Sequence, residues 1–212
     1  NTVSEDSISG QKEEHEFAAL SLAKTKQVSE LVKWADGKPI WMSWKLDGLT
    51  LVVTYDEGKL TKIVTRGNGH IGTNITHLAP AIKGVLPTIS EKGHLVIRGE
   101  AVISYADFER FLIETEGDYA NPRNLASGSL TLKDVDEVKQ RRIQWIPFTL
   151  VYTEKDINSW GERMQFLDEM GFQTVERVDI QQPTTDNIQA DIDAFTLKVT
   201  QNVNPFPVDG LV

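Results

Sequence analysis

The sequence predicts an α+β fold of antiparallel sheets with peripheral helices, and three observations carry that expectation. Short β-branched and aromatic runs occur in hairpin-like pairs, helical segments of period three to four punctuate them, and regular βαβ alternation is absent. The composition agrees: of 212 residues, 40% are hydrophobic and 25% charged, with a net charge of −9 and no cysteine. Such a chain can bury one sizeable core, which excludes disordered, collagenous and disulfide-scaffolded classes. The lack of cysteine removes thiolate zinc sites and thiol nucleophiles, and fits a reducing compartment. No apolar stretch approaches the roughly 18 residues of a membrane helix, and the first residues lack signal-peptide character, so a cytoplasmic location is expected. The chain starts without Met and stops inside a strand-like run, Asp209-Gly210-Leu211-Val212, which reads as a piece of a longer protein.

Residues 1–16 are polar and Glu-rich with no apolar period, and read as a leader or linker before a domain spanning 17–212. The spacing of Val28, Leu31, Val32 and Ala35 predicts a helix over 25–35, ended by Asp36-Gly37 and Pro39. Strands are predicted at 40–44, 49–55 and 60–65, with Asp56-Glu57-Gly58 as the hairpin turn between the last two, and again at 95–103 and 144–152. Ser104-Tyr105-Ala106-Asp107 and Ser159-Trp160-Gly161-Glu162 read as capping boxes opening helices, the second closed by Gly171. The stripe Ile188, Ile192, Phe195, Val199 predicts a last helix over 185–199.

Function is sought where this pattern breaks. In Leu95–Ile103, period two puts Arg98 and Glu100 on one otherwise apolar face, either as an ion pair or a solvated patch, or facing a ligand; Gly99 between them favours close approach. Lys45 and Asp47 share a face between two apolar runs, where desolvation would lower the lysine pKa and make a nucleophilic amine; a snorkelling lysine before an Asp-Gly turn is the plainer alternative. Thr65-Arg66-Gly67-Asn68-Gly69-His70-Ile71-Gly72 offers backbone N–H groups and an arginine to an anion, without a Walker lysine. Asn121-Pro122-Arg123-Asn124 through Gly128-Ser129-Leu130 reads as a loop carrying Arg123. One amine, carboxylates and arginines suit attack by lysine on a phosphate. The histidines at 15, 70, 77 and 94 are scattered without metal spacing, and the tryptophans at 34, 41, 44, 145 and 160 read as core or edge aromatics. The acidic total argues against broad electrostatic binding of nucleic acid but is compatible with a local basic groove.

In this order the motifs resemble the adenylation domain of bacterial NAD-dependent DNA ligases. Lys45-Leu46-Asp47-Gly48 resembles that family's nucleophile motif, Thr65-Arg66-Gly67-Asn68-Gly69 its Gly-rich loop, and Arg98-Gly99-Glu100 its Arg-Gly-Glu strand. Asn121-Pro122-Arg123-Asn124 with Gly128-Ser129-Leu130, the final Asp209-Gly210-Leu211-Val212, and the upstream His15-Glu16 with Leu20-Ser21-Leu22 extend the match from about His15 to Val212. The resemblance implies a nucleotidyltransferase (ATP-grasp-like) fold and a lysyl-AMP intermediate. Lys45 would attack the α-phosphate of NAD and release nicotinamide mononucleotide, and AMP would pass to the 5′-phosphate of nicked double-stranded DNA. It further implies that Glu100 bonds the ribose, Arg66 and Arg123 bind phosphates or the nick, Asp47 orients Lys45 or assists the metal, Ser21 and Leu22 line the nucleotide pocket, and Phe148 stacks on adenine. Mg2+ would offset phosphate charge, with ligands the sequence does not identify.

Four positions depart from the family pattern: Ser43 where Glu is usual, Asn68 for the loop Asp, and Thr131 and Gln201 where Arg is common. Losing two phosphate-binding arginines would weaken DNA or nucleotide binding more than the amine chemistry. ATP-dependent DNA ligases, RNA ligases and capping enzymes share the Lys-x-Asp-Gly chemistry; the Gly-rich loop and the Asn-Pro-Arg-Asn segment favour the NAD family. A diverged, non-catalytic nucleotide- or DNA-binding paralogue is the reading from a different class, favoured by the missing arginines and opposed by the retained Lys45, Asp47, Glu100, Arg66 and Arg123. The family's final lysine and its flanking small, OB-fold, zinc, helix-hairpin-helix and BRCT modules would lie outside this chain, which is therefore expected to seal nicks poorly alone.

Overall fold

The computed structural model describes residues 10–20 and 22–212. In chain order the elements are β1 (Lys12–Glu14), α1 (Val28–Ala35), β2 (Ile40–Leu46), β3 (Leu49–Asp56), β4 (Lys59–Thr65), β5 (Ile71–Thr73), a 3-10 turn (Thr76–Ala81), β6 (Leu95–Val102), α2 (Tyr105–Thr115), α3 (Pro122–Ser129), α4 (Val135–Lys139), β7 (Gln144–Tyr152), α5 (Trp160–Glu169), β8 (Arg177–Ile180), α6 (Thr185–Thr200) and β9 (Val208–Leu211). The strands form sheets β4-β3-β6-β7, β8-β2-β9 and β1-β5, with every paired strand antiparallel. The expected antiparallel α+β architecture is the one observed.

Alternation in β3 and β6 divides the four-stranded sheet into two faces. Leu49, Leu51, Val53 and Tyr55 join Leu95, Ile97 and Ala101 in the main core, together with Met42 and Trp44 from β2, Met164 and Leu167 from α5, and Phe195 from α6. Val52 and Val96 point the other way and form a small second cluster with Ala19, flanked by Phe17, Val151 and Tyr152. At the centre of the main core Trp145 is fully buried, and its Nε1–H donates to Leu51 O at 3.2 Å. A Cβ at Gly99 would collide with this indole, which is why a strand-interior glycine stands there. Trp145→Ala is expected to destabilise the fold by about 3–5 kcal/mol, read by urea denaturation, because a large cavity remains at the centre of the core.

The hairpin turn forms with Glu57 at φ 52 and Gly58 at φ 76, the left-handed pair a tight two-residue hairpin demands. Ser104 and Ser159 cap α2 and α5, accepting from the N–H groups of Asp107 and Glu162 at 3.1 Å each. The first helix starts at Val28 rather than at residue 25, because Thr25 Oγ1 accepts from Gln27 N at 3.1 Å and shapes a turn there instead. The larger difference is α3, read from sequence as a loop. Asn121 caps it through a 2.9 Å bond from Asn124 N, Pro122 occupies its first turn, and Leu125, Ala126, Gly128 and Ser129 are buried, so tertiary packing outweighs weak helix formers. Lys12–Glu14, inside the stretch expected as a leader, pair with Thr73–Ile71. Among the described residues no helix is long and apolar enough to cross a membrane.

Candidate active site

The Lys-x-Asp-Gly segment is where the chain crosses between sheets. Lys45 lies near the end of β2 in one sheet, and β3 in the other begins at Leu49, so Asp47 and Gly48 make the whole crossing. Asp47 N is bonded to Pro207 O at 2.9 Å, and a Cβ on Gly48 would overlap the carbonyl of Ala101 in β6. Only glycine lets the two sheets approach this closely. Trp44 turns inward, its ring edge-on to Phe195 at 4.6 Å with Nε1 donating to Glu176 at 3.0 Å, which leaves Lys45 on the opposite face. There its Nζ lies 3.4 Å from Asp209 of β9, brought alongside by the pairing of Lys45 with Gly210. The side chain is 48% exposed, so the desolvation expected from sequence is not its environment; an ion pair at the sheet surface is.

Arg98 and Glu100 share a face of β6 as period two requires, but they do not pair with each other. Glu100 accepts from Gly48 N at 3.1 Å and from Thr50 Oγ1 at 2.8 Å, while Asp47 contacts the Arg123 guanidinium at 3.5 Å. Burial pushes the Glu100 carboxyl up to about 7, against the bonds from Thr50 and Gly48 and the nearby Arg123 charge, with Asp47 adding to the rise. An acid whose folded pKa lies above its ordinary 4.5 costs stability as pH climbs between those values and no further above them. This shift corresponds to at most about 3 kcal/mol. In urea denaturation from about pH 4 to about pH 8, Glu100→Gln is expected to flatten the decline of stability over that window; an unchanged slope would contradict the assignment.

The Gly-rich loop brings the arginines together with the N-terminal segment. Gly67 and Gly69 have φ of 60° and 93°, and Asn68 Oδ1 accepts from His70 N at 2.9 Å and Ile71 N at 2.8 Å. Asn68 thus does with its amide oxygen what an Asp carboxylate would do in this turn. Arg66 N donates to Thr50 O at 3.1 Å, which ties the loop to the Glu100 cluster, and Arg66 Nε donates to Ala19 O at 2.8 Å. Arg98 Nη2 donates to Ala18 O at 2.5 Å, and burial together with the adjacent Arg66 charge lowers its pKa from the usual value. Two guanidiniums therefore converge beside the loop, an arrangement suited to an anion.

Of the remaining predicted residues, Leu22 is 70% exposed, and Ser21 lies outside the described residues. Phe148 sits at the β-bulge of β7 opposite Arg98 and Gly99, half-buried against the main core and one strand from Glu100. Ser43 is buried in β2, exchanging backbone bonds with Val212 at 2.9 Å; Thr131 turns its hydroxyl onto Gly128 O at 2.6 Å; Gln201 is an exposed cap of α6. Thr50 and Asp209 were given no role by sequence reasoning. Thr50 becomes visible only through its register with Glu100, and Asp209, known until then only as part of the final motif, gains its partner Lys45 through the pairing of β9 with β2. Among the described residues no group of three or more His, Cys, Asp or Glu could hold a metal ion.

The sequence profile of the NAD-dependent DNA ligase adenylation domain matches residues 9–212. A DNA ligase of Lachnoclostridium phytofermentans is 40% identical over 206 residues, covering 95% of this chain and 31% of its own length. One from Leptospira biflexa is 35% identical over 207 residues, with 95% and 30% covered. The chain thus spans about a third of the curated relatives it matches. In structure it is similar to a protein from Aquifex aeolicus described as an ATP-dependent DNA ligase, with a TM-score of 0.53 at 12% identity over 88% of this chain and 45% of that one, a likeness of fold. By its profile match over nearly the whole length, the chain belongs to the NAD-dependent DNA ligase adenylation domain family.

Proposed function

We propose that this chain performs the lysine adenylation step of an NAD-dependent DNA ligase. The observation that carries the reading is the crossing at Asp47-Gly48, which leaves the Lys45 amine at the end of one sheet and joins it, through Gly48, to the next sheet, where the Glu100 carboxylate is held by two donors. Lys45 Nζ, having released a proton, forms a bond to the α-phosphorus of NAD as the bond from that phosphorus to nicotinamide mononucleotide breaks. The 5′-phosphate of a nick in duplex DNA then takes AMP from the lysine, and the 3′-hydroxyl displaces AMP. Asp209 keeps the Lys45 side chain over β9. Glu100, with Thr50, accepts from the ribose hydroxyls, and Arg66 and Arg123 contact phosphate oxygens. Ser21 and Leu22 border the nucleotide, and Phe148 offers a ring to adenine.

Asp209, beside Lys45, and Asp47, beside Arg123, are the hard oxygen donors of the segment, and the described residues form no all-protein cage. Mg2+, which is content with one or two protein carboxylates, would be held by these residues together with the substrate phosphates and would supply charge neutralisation there. Nick sealing by the whole protein, in the cytoplasm, draws on flanking domains of the longer polypeptide.

The test is the intact mass of the chain after incubation with magnesium and NAD, ATP, or nicked 5′-adenylated DNA. One added AMP from NAD and from the adenylated nick is the expected result. Addition from ATP alone would reassign the chain to the ATP-dependent lysine nucleotidyltransferases. No adduct from any donor, in the full-length parent as well, would favour a non-catalytic paralogue.

A further inference from the structure

Residues 12–20 cross the outer face of the four-stranded sheet as an extended strap. Backbone bonds tie it at its two ends: β1 pairs with β5, continued by the His15 amide, and Ala19 N donates to Gly69 O at 2.7 Å. His15 adds N to His70 O at 2.6 Å and its ring Nε2 to Arg66 O at 2.9 Å. Between these ties the strap is held through side chains. Phe17 stacks on Tyr152 at 5.4 Å and 16°, and Glu16 reaches His94.

His94 stands between two carboxylates from different parts of the fold. Its Nδ1 is 2.6 Å from Asp56 Oδ1 at the end of β3, and its Nε2 is 2.8 Å from Glu16 Oε2 on the strap. Tyr152 of β7 covers the ring at 5.5 Å. A neutral imidazole has one N–H and one lone pair, so it can donate to only one of these acceptors; both contacts are satisfied only by the imidazolium. We propose that His94 is a proton-gated clasp that fastens the N-terminal strap to the sheet and, through Ala18 and Ala19, against Arg98 and Arg66.

Burial opposes the charge on His94, but the bonds its ring N–H groups donate to Asp56 and Glu16, and the negative charges of those carboxylates, outweigh it and raise the pKa. Asp56 and Glu16 are the charged groups that act on the ring. The neighbouring acids and bases pair elsewhere, Glu13 with Lys62 at 2.9 Å and Glu91 with Lys155 at 3.2 Å. With a raised folded pKa the clasp is fully closed at low pH and is lost as pH rises through that value. On deprotonation the shorter Asp56 bond keeps the remaining N–H, the Nε2 lone pair then faces the Glu16 carboxylate, and the middle of the strap lets go.

Hydrogen exchange of the 212-residue chain, corrected for intrinsic rates from about pH 6 to about pH 9, tests this without any nucleotide. The expected result is that protection of the His15 and Ala19 amides, which border the released middle of the strap, falls about tenfold or more as His94 deprotonates, while β3 and β6 amides hold. His94→Gln, which carries no charge and cannot donate to both carboxylates through its one NH2 in this geometry, should show low protection at every pH. Glu16→Gln should show high protection at every pH, because its amide N–H donates to the neutral Nε2. Protection that is pH-independent in the wild type, or a pH decline that persists in both variants, would overturn the clasp. One consequence rests on the adenylation reading: His94→Gln should raise KM for NAD while kcat for adduct formation holds. If no adduct forms in the wild type, that reading fails while the exchange result still decides the clasp.

Discussion

Lys45→Ala is expected to abolish the AMP adduct, a loss on the order of 10⁵-fold or more, as for removal of other covalent nucleophiles. The fold should survive, since the side chain is 48% exposed and its ion pair with Asp209 is a surface contact worth little stability. Lys45→Arg sharpens the result. It keeps positive charge and reach toward Asp209, but a guanidinium stays protonated under any working condition and offers no free amine. Both variants should therefore give unshifted intact mass with NAD and unchanged urea midpoints. An adduct in either would place the nucleophile elsewhere, and a lost fold in Lys45→Ala would recast the residue as structural.

Gly48→Ala has the second largest expected effect, because it strikes the junction on which both the fold and the site depend. The added Cβ would overlap Ala101 O and press on Val102 Cγ1 at 2.9 Å, neither of which is a flexible end that can swing aside. Overpacking of this kind destabilises by about 3 kcal/mol or more, lowering Tm by roughly 6–12 °C in a domain of this size. The shift also pulls Gly48 N away from Glu100 Oε2, now at 3.1 Å, and displaces Lys45 relative to that carboxylate. Adduct formation should drop by far more than the unfolded fraction explains, on the order of 10²-fold from misplacement alone. A variant of wild-type Tm and adduct rate would show that the sheets can separate without consequence.

The four strands of the larger sheet and β2 were legible because β-branched runs bury one face and leave the other to break the pattern, whereas the short β1, β5 and β8 are too brief to show a period. Arg98 and Glu100 are out of place in an apolar alternation, and the structure gives each a specific partner, Ala18 O and the Gly48–Thr50 donors. Lys45 was legible as an oddity but not in its surroundings, since Asp209 lies 164 residues further along and reaches it only through the β2–β9 pairing. Thr50 was hidden for the same reason: cross-strand neighbours depend on register, which local pattern does not state. Helix α3 was missed because Asn, Ser and Gly favour turns locally, whereas the burial that holds them helical is a tertiary effect. The strap was hidden because its polar residues find partners on the sheet, among them Lys62 for Glu13 and His94 for Glu16. Composition alone makes such a segment look like a linker.

On the proposed function, Lys45 accepts AMP while the neighbouring sheet holds the nucleotide. The most direct test is peptide mapping of the chain after incubation with magnesium and nicked 5′-adenylated DNA, which supplies AMP without needing the nicotinamide end of NAD to be bound. One AMP per chain is expected, on the peptide containing Lys45 and absent from Lys45→Arg. AMP on any other residue, or an unmodified Lys45 peptide in both this chain and its full-length parent, would contradict it.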